Sequence, residues 1–260
     1  MKSLYFTAGQ FARLHQLNKR TLHYYDDIGL FSPAYKGENG YRYYSRKTLL
    51  TVPVMKYYKQ MGFKLEEMKI LMESNRFDFH AKKLRDKIDE LRRMREEINI
   101  AYTSVNDWYN LIREAEGVLE NHVPEVSVKY IEPITACYRS QDFSDNYMDA
   151  IINIDWTNYL ETLGHEITGA VHLYFPHFRE KLAGKPTKAV IFQKGIGPID
   201  ESKTRTFGGK MMLAAYHIGP HESIGDTYQR IAEWADAHGY RPGEGAIERY
   251  VTDYWTTKRS

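Results

Sequence analysis

Between Arg76 and about Arg113 the chain has no proline or glycine, and Leu84, Ile88, Leu91, Arg95, Ile98, Tyr102, Val105, Tyr109 and Ile112 recur at alternating spacings of four and three. That period predicts one long helix with a heptad seam. The positions between are largely charged or polar, among them Lys82, Lys83, Asp86, Glu90, Arg92, Glu96 and Glu97, so the helix alone would expose its stripe. At the rise of an α-helix it would run on the order of 55 Å, more than a small domain can cover. A second copy of the same chain is the expected cover. Packing on the chain's own C-terminal part is the alternative, and Arg95 interrupts the seam.

Ahead of this helix the pattern is shorter in range. Thr7 can cap a first helix carrying Phe11, Ala12 and Leu14; His15 to Leu17 form a turn; Asn18 caps a second helix with Leu22 and Ile28 facing inward. Lys19, Arg20, His23 and Tyr24 then fall toward the outer face. Asn39-Gly40 is a strong hairpin signal, with two positions expected to accept positive φ. It sets Tyr35 and Lys36 on one arm of a wing and Tyr41, Arg42 and Tyr43 on the other. Two short helices, a turn and a basic wing make a DNA-binding arrangement, in which such side chains meet phosphates and base edges of a major groove.

Ser45 opens a third helix through about Met61, closed by Gly62 as C-cap, and Leu65 to Met72 forms a short fourth. Pro53 predicts a kink or break in the third, because proline lacks the donor and clashes one turn back. Gly117 is expected to end the long helix, and new chemistry begins at Pro124. EVSVKYIE alternates as a strand, ITACYRS follows as a second, and a helix is expected from about Phe143 to Leu163. ITGAVHLYF and PTKAVIFQK read as strands; a strand, a Gly219-Pro220 turn, a helix with Tyr228, Ile231 and Trp234, and a last strand through Ile247 and Tyr250 complete the chain. Strand, helix and strands thus occur twice, which predicts an α+β domain of two related halves.

Composition adds two constraints. The 260 residues are 42% hydrophobic without a low-complexity tract, no apolar run approaches the ~20 residues of a membrane span, and the first residues lack a signal-peptide core, so a cytoplasmic protein is expected. The single cysteine, Cys137, excludes an internal disulfide and an all-cysteine metal centre. The overall charge of +2 is uneven: residues 1–75 carry a net +6, residues 76–121 a net −1 and residues 122–260 a net −3. The basic end is the nucleic-acid end.

The N-terminal string resembles the MerR family of transcription regulators in four ordered blocks: Thr7 at the first helix, Thr21-Leu22-His23-Tyr24-Tyr25-Asp26, Ile28-Gly29-Leu30-Phe31-Ser32-Pro33, and Gly40-Tyr41-Arg42-Tyr43-Tyr44. It departs at His23, where arginine is usual, at Asn18, where serine usually caps, and at Pro53. Residues from Tyr216 to Trp255 resemble the GyrI-like effector-binding domain of multidrug regulators, with its Gly-Pro turn, its tyrosine-bearing helix, Gly239-Tyr240 and Glu248-x-Tyr250-x-x-Asp253. That family continues into one more strand, near whose place this sequence ends at Ser260, so an edge of the domain is expected to be missing or built differently. The resemblance implies a multidomain α+β protein: a winged helix-turn-helix over 1–75, a helix and linker over 76–121 forming an antiparallel coiled coil in a homodimer, and a GyrI-like domain over 122–260. It further implies double-stranded promoter DNA as partner, with RNA polymerase engaged indirectly through a distorted promoter, and a small effector. No cofactor is implied.

Glu248 is the candidate site residue of the second half. Alternation puts Ala246, Glu248 and Tyr250 on one face, near Tyr216, Tyr228, Trp234, Tyr254 and Trp255, and a carboxylate among aromatic rings attracts a large lipophilic cation. An exposed strand glutamate is the plain alternative from the residues alone; the resemblance implies the cation role for Glu248, with walls from positions such as Tyr147. The same resemblance admits an enzyme, a hydrolase of reactive electrophiles with Glu248 as acid or base. An architectural DNA binder without a ligand is a third reading. No catalytic or metal residue is otherwise indicated: His165-Glu166 lacks its second histidine, His217 and His221 straddle Gly219-Pro220, and Gly184-Lys185 lacks the rest of a phosphate loop.

Overall fold

The computed structural model describes residues 5–121, 123, 125–143, 154–164, 166–183, 185, 187–197 and 200–252. It divides into two compact units, Met1–Arg95 and Glu96–Ser260.

In the first unit, β1 (Tyr5–Thr7) leads into α1 (Ala8–His15), α2 (Lys19–Asp27), β2 (Tyr35–Lys36), β3 (Arg42–Ser45), α3 (Arg46–Gln60) and α4 (Leu65–Glu73). The caps sit where the residues call for them. Thr7 and Gln10 close a capping box on α1, Asn18 Oδ1 accepts from Thr21 N at 2.6 Å, and Ser45 Oγ accepts from Thr48 N at 3.2 Å. The turn before α2 places Gln16 at φ 56°, the one left-handed non-glycine among the described residues. Phe11, Leu22, Phe31, Tyr44 and Val52 fill the core, but Leu14 is 57% exposed, on the far face of α1.

The wing differs from expectation in two respects. β1 joins it, giving the antiparallel order β1-β3-β2. Of Asn39 and Gly40, only Gly40 takes positive φ, at 75°. Gly40 N donates to Gly37 O and Gly37 N to Tyr41 O, while Asn39 works through its side chain, Oδ1 accepting from Tyr41 N at 3.1 Å. A wider turn closed by an Asx bond therefore replaces a two-residue one. Helix α3 is also unbroken across Pro53, its neighbours Val52 and Met55 both buried, so packing of that face outweighs the ~3 kcal/mol intrinsic cost.

Helix α5 runs from Phe77 to Glu120, past Gly117. One helical glycine costs about 1 kcal/mol, too little to end a long helix, and Asn121 Nδ2 donates to Gly117 O at 2.8 Å to finish it. Within the first unit, Lys87 is buried beside the α3–α4 turn: its ammonium lies 5.1 Å from the Phe63 ring, 2.6 Å from Glu90 and 3.7 Å from Glu67.

The second unit continues with β4 (Ser127–Ile131), β5 (Ile134–Phe143), α6 (Ile154–Leu163), β6 (Glu166–Phe175), α7 (Phe178–Leu182), β7 (Thr187–Ile196), β8 (Thr204–Phe207), β9 (Lys210–Ala214), α8 (Ile224–Ala237) and β10 (Ala246–Arg249). Five strands form an antiparallel sheet in the order β10-β6-β7-β5-β8, and β4 pairs with β9 in a separate ribbon. Phe143 ends a strand and does not begin a helix, and the short β8 was not expected from the sequence. Alternation along β7 gives the sheet two apolar faces. Ala189 and Ile191 pack with Trp156, Leu160 and Phe175 on one; Val190 and Phe192 pack with Phe207 and Tyr174 on the other. Gly208, at φ 82°, turns the chain where a Cβ would come within 2.5 Å of the Glu132 carbonyl. Among the described residues no helix is long and apolar enough to cross a membrane.

Candidate functional site

In the first unit the outer edge of α2 and the wing supply the polar residues expected to meet DNA. Lys19, Arg20 and Tyr24 are exposed on α2, and Lys36 and Tyr41 on the wing. His23 and Arg42 are half-buried and lie together: Arg42 Nε donates to Asp26 Oδ2 at 2.8 Å, and its Nη1 lies 3.4 Å from His23 Nδ1. A guanidinium can only donate, so Nδ1 is the acceptor there. Arg42 thus ties the wing to α2, a link between residues sixteen apart that no local pattern announces. Tyr35 stacks on Tyr43, centroids 4.8 Å apart, which stiffens the hairpin.

The second unit holds a cavity of about 950 Å³ between the sheet, the β4–β9 ribbon and α8. Its walls include Tyr130, Phe178, Met211, Tyr216, Tyr228 and Ile231. Glu248, only 8% exposed, sits in it: Tyr228 Oη donates to Oε1 at 2.7 Å and Tyr250 Oη donates to Oε2 at 2.6 Å. Phenol donors orient the carboxylate and stabilise its charged form. Tyr250 lies just past the end of β10 yet still reaches Glu248. Tyr216 lines the cavity, with Oη donating to Glu114 Oε1 at 2.8 Å, and burial with that bond pushes its pKa up. Tyr147, Tyr254 and Trp255 lie outside the described residues. Trp234 is not in the cavity wall; it stacks on His238 at 3.9 Å and Tyr240 at 5.6 Å.

Two site residues escaped the sequence reading. Tyr228 belonged to the aromatic background but not to the site, because its bond to Glu248 joins a helix to a strand twenty residues on. His172 gave no signal at all. It follows a bulge in β6, where Thr168 faces Lys194 and His172 faces Phe192. Its ring stacks on Phe192 at 4.6 Å in the cavity wall, and its buried Nδ1 has no hydrogen-bond partner among the described residues. Burial, followed by the positive charge of Arg249, pushes its pKa down to about 4, so it is neutral at pH 7. His217 has a structural place: Nε2 donates to Pro220 O at 2.9 Å, and Nδ1 lies 2.9 Å from Thr227 Oγ1.

The description "MerR HTH family regulatory protein" matches residues 6–75, and "GyrI-like small molecule binding domain" matches residues 185–260. A MerR HTH head joined to a GyrI-like domain makes the chain a ligand-responsive, DNA-binding transcriptional regulator. Among its relatives, the multidrug-efflux transporter 2 regulator of Bacillus subtilis (strain 168) is 29% identical over 263 residues, covering 96% of this chain and 90% of that protein. The multidrug-efflux transporter 1 regulator of the same organism is 33% identical over 107 residues, covering 38% of each chain. Among solved structures, the N-terminus of the Bacillus subtilis multidrug transporter activator is 28% identical, with a TM-score of 0.36, and covers 39% of this chain and 94% of that one.

Proposed function

We propose that this regulator binds promoter DNA as a homodimer through residues 1–75, pairs through the helix of residues 76–121, and takes a lipophilic cation as effector in residues 122–260. Lys19, Arg20, His23 and Tyr24 enter the major groove. Tyr41, Lys36 and Arg42, the last steadied by Asp26, hold flanking phosphates. The effector alters how the bound dimer distorts its promoter and so how polymerase engages it, in the cytoplasm where the template lies.

The observation that carries the effector class is the buried Glu248 carboxylate, oriented by two tyrosine hydroxyls in an aromatic cavity. Charge attraction and ring faces favour the same ligand, a cation with apolar substituents. The hydrolytic alternative finds no support among the relatives named above, which are regulators. Calorimetry with 4-(trimethylammonio)biphenyl and its neutral isostere 4-tert-butylbiphenyl tests the assignment. Glu248→Gln keeps the shape and removes the charge, so it should cost the cation about 1–3 kcal/mol and leave the isostere nearly unaffected. Equal losses for both ligands would make Glu248 structural.

A further inference from the structure

Glu248 and its neighbour Arg249 are sent by strand alternation to opposite faces of β10. Both line the cavity: Glu248 is held there by Tyr228 and Tyr250, while the Arg249 guanidinium donates to Glu114 on the second half of α5. The same Glu114 oxygen accepts the hydroxyl of Tyr216, a cavity wall. One helix carboxylate is therefore tied to the strand that carries the candidate ligand's counter-charge and to a ring that lines its space. Glu114 does not itself line the cavity.

Its position on α5 is not isolated. Glu96, Asp107 and Glu114 are spaced by eleven and seven residues, which brings them to one face of a helix. Each meets another part of the second unit, to which all three belong: Glu96 lies beside Gly197, Asp107 beside Gly169 with its carboxylate 3.7 Å from Lys194 Nζ, and Glu114 against Arg249 and Tyr216. Only the last is joined to cavity residues, since Lys194 is not in the wall.

We propose that Glu114 is the positioning residue through which α5 senses whether the cavity is filled, an inference that rests on the effector reading above. A cation that draws on Glu248 shifts β10, and a ligand against Tyr216 shifts that phenol. Both displacements change the surroundings of Glu114 together. The helix then has different energies with the cavity empty and full, which is the differential interaction a ligand-driven change requires.

The test uses the full chain and a DNA duplex selected by the protein from a random pool. The affinity of 4-(trimethylammonio)biphenyl is measured for free and for DNA-bound regulator, and the ratio of the two is the coupling factor. Glu114→Ala should bring that ratio toward one by about 2- to 30-fold, the range over which single residues modulate coupling. Asp107→Ala, on the same helix face but without a cavity link, should keep the parental ratio. Should the alanine variant not fold, Glu114→Gln, which retains an acceptor for Tyr216 and loses the ion pair with Arg249, should show a partial loss. A parental ratio in the folded Glu114 variants, or an equal loss in Asp107→Ala, overturns the inference alone. No binding of the probe by the parental protein overturns the effector reading and this inference with it.

Discussion

Ile98 gives the sharpest test of the homodimer. In the single chain 65% of its side chain faces solvent, as do 69% of Tyr102 and 70% of Val105 further along the stripe. Residues that serve the helix within its own unit lie elsewhere: Leu111 in the second unit and Lys87 in the first are both buried. Full burial of an isoleucine side chain contributes about 1.5–3 kcal/mol, so the part left open at Ile98 is worth about 1–2 kcal/mol per copy, or about 2–4 kcal/mol in a symmetric pair. Ile98→Glu removes that contribution and adds the cost of burying a charge against the partner. The dimer dissociation constant should rise by roughly 30- to 700-fold from the apolar loss alone. Because the position is exposed in the monomer and glutamate is a good helix former, helicity should be unchanged. Sedimentation velocity across the micromolar range, with circular dichroism on the same samples, reads both quantities. A variant that keeps the parental association would mean that the stripe is not the dimer seam.

Arg20→Ala with Lys36→Ala should weaken DNA binding and reduce the slope of log affinity against log salt by about two, one for each phosphate no longer neutralised; an unchanged slope in a salt titration would mean that neither residue meets the DNA backbone. The His172 pKa is depressed to about 4 in the folded protein, so its contribution to stability is complete above pH 6.5 and is lost as the pH falls toward 4. That loss is about 3 kcal/mol; denaturation of the parent and of His172→Phe at several pH values should show a flatter profile for the variant, whose ring can still stack on Phe192. Gly117→Ala meets nothing within 4 Å and should raise stability by up to about 1 kcal/mol, visible as a higher denaturant midpoint.

Legibility in the sequence followed the range of the interaction. Thr7, Asn18 and Ser45 cap their helices by bonds three residues long, and the apolar period of α5 is a property of one continuous segment, so both could be read directly. The pairing of Arg42 with Asp26 and the hold of Tyr228 on Glu248 join separate elements, and nothing near any of these residues encodes the partner. Pro53 and Gly117 misled for another reason: intrinsic propensity is a cost of a few kcal/mol that packing and length override. The strand Thr204–Phe207 was missed because four residues of mixed polarity carry no periodic signal; its place comes from pairing with β5. His172 is aimed by a bulge, and a bulge cannot be seen without the facing strand.

The central claim is that one chain couples a cation in the GyrI-like domain to the shape of DNA held by the MerR head. It is tested most directly by placing 2-aminopurine at the centre of the selected duplex, saturating it with regulator, and adding 4-(trimethylammonio)biphenyl. The expected result is a saturable change in 2-aminopurine fluorescence, as base stacking at the centre of the bound site responds to the effector, and a curve displaced to higher concentration in Glu248→Gln. Calorimetric saturation by the cation with no change in fluorescence would contradict it.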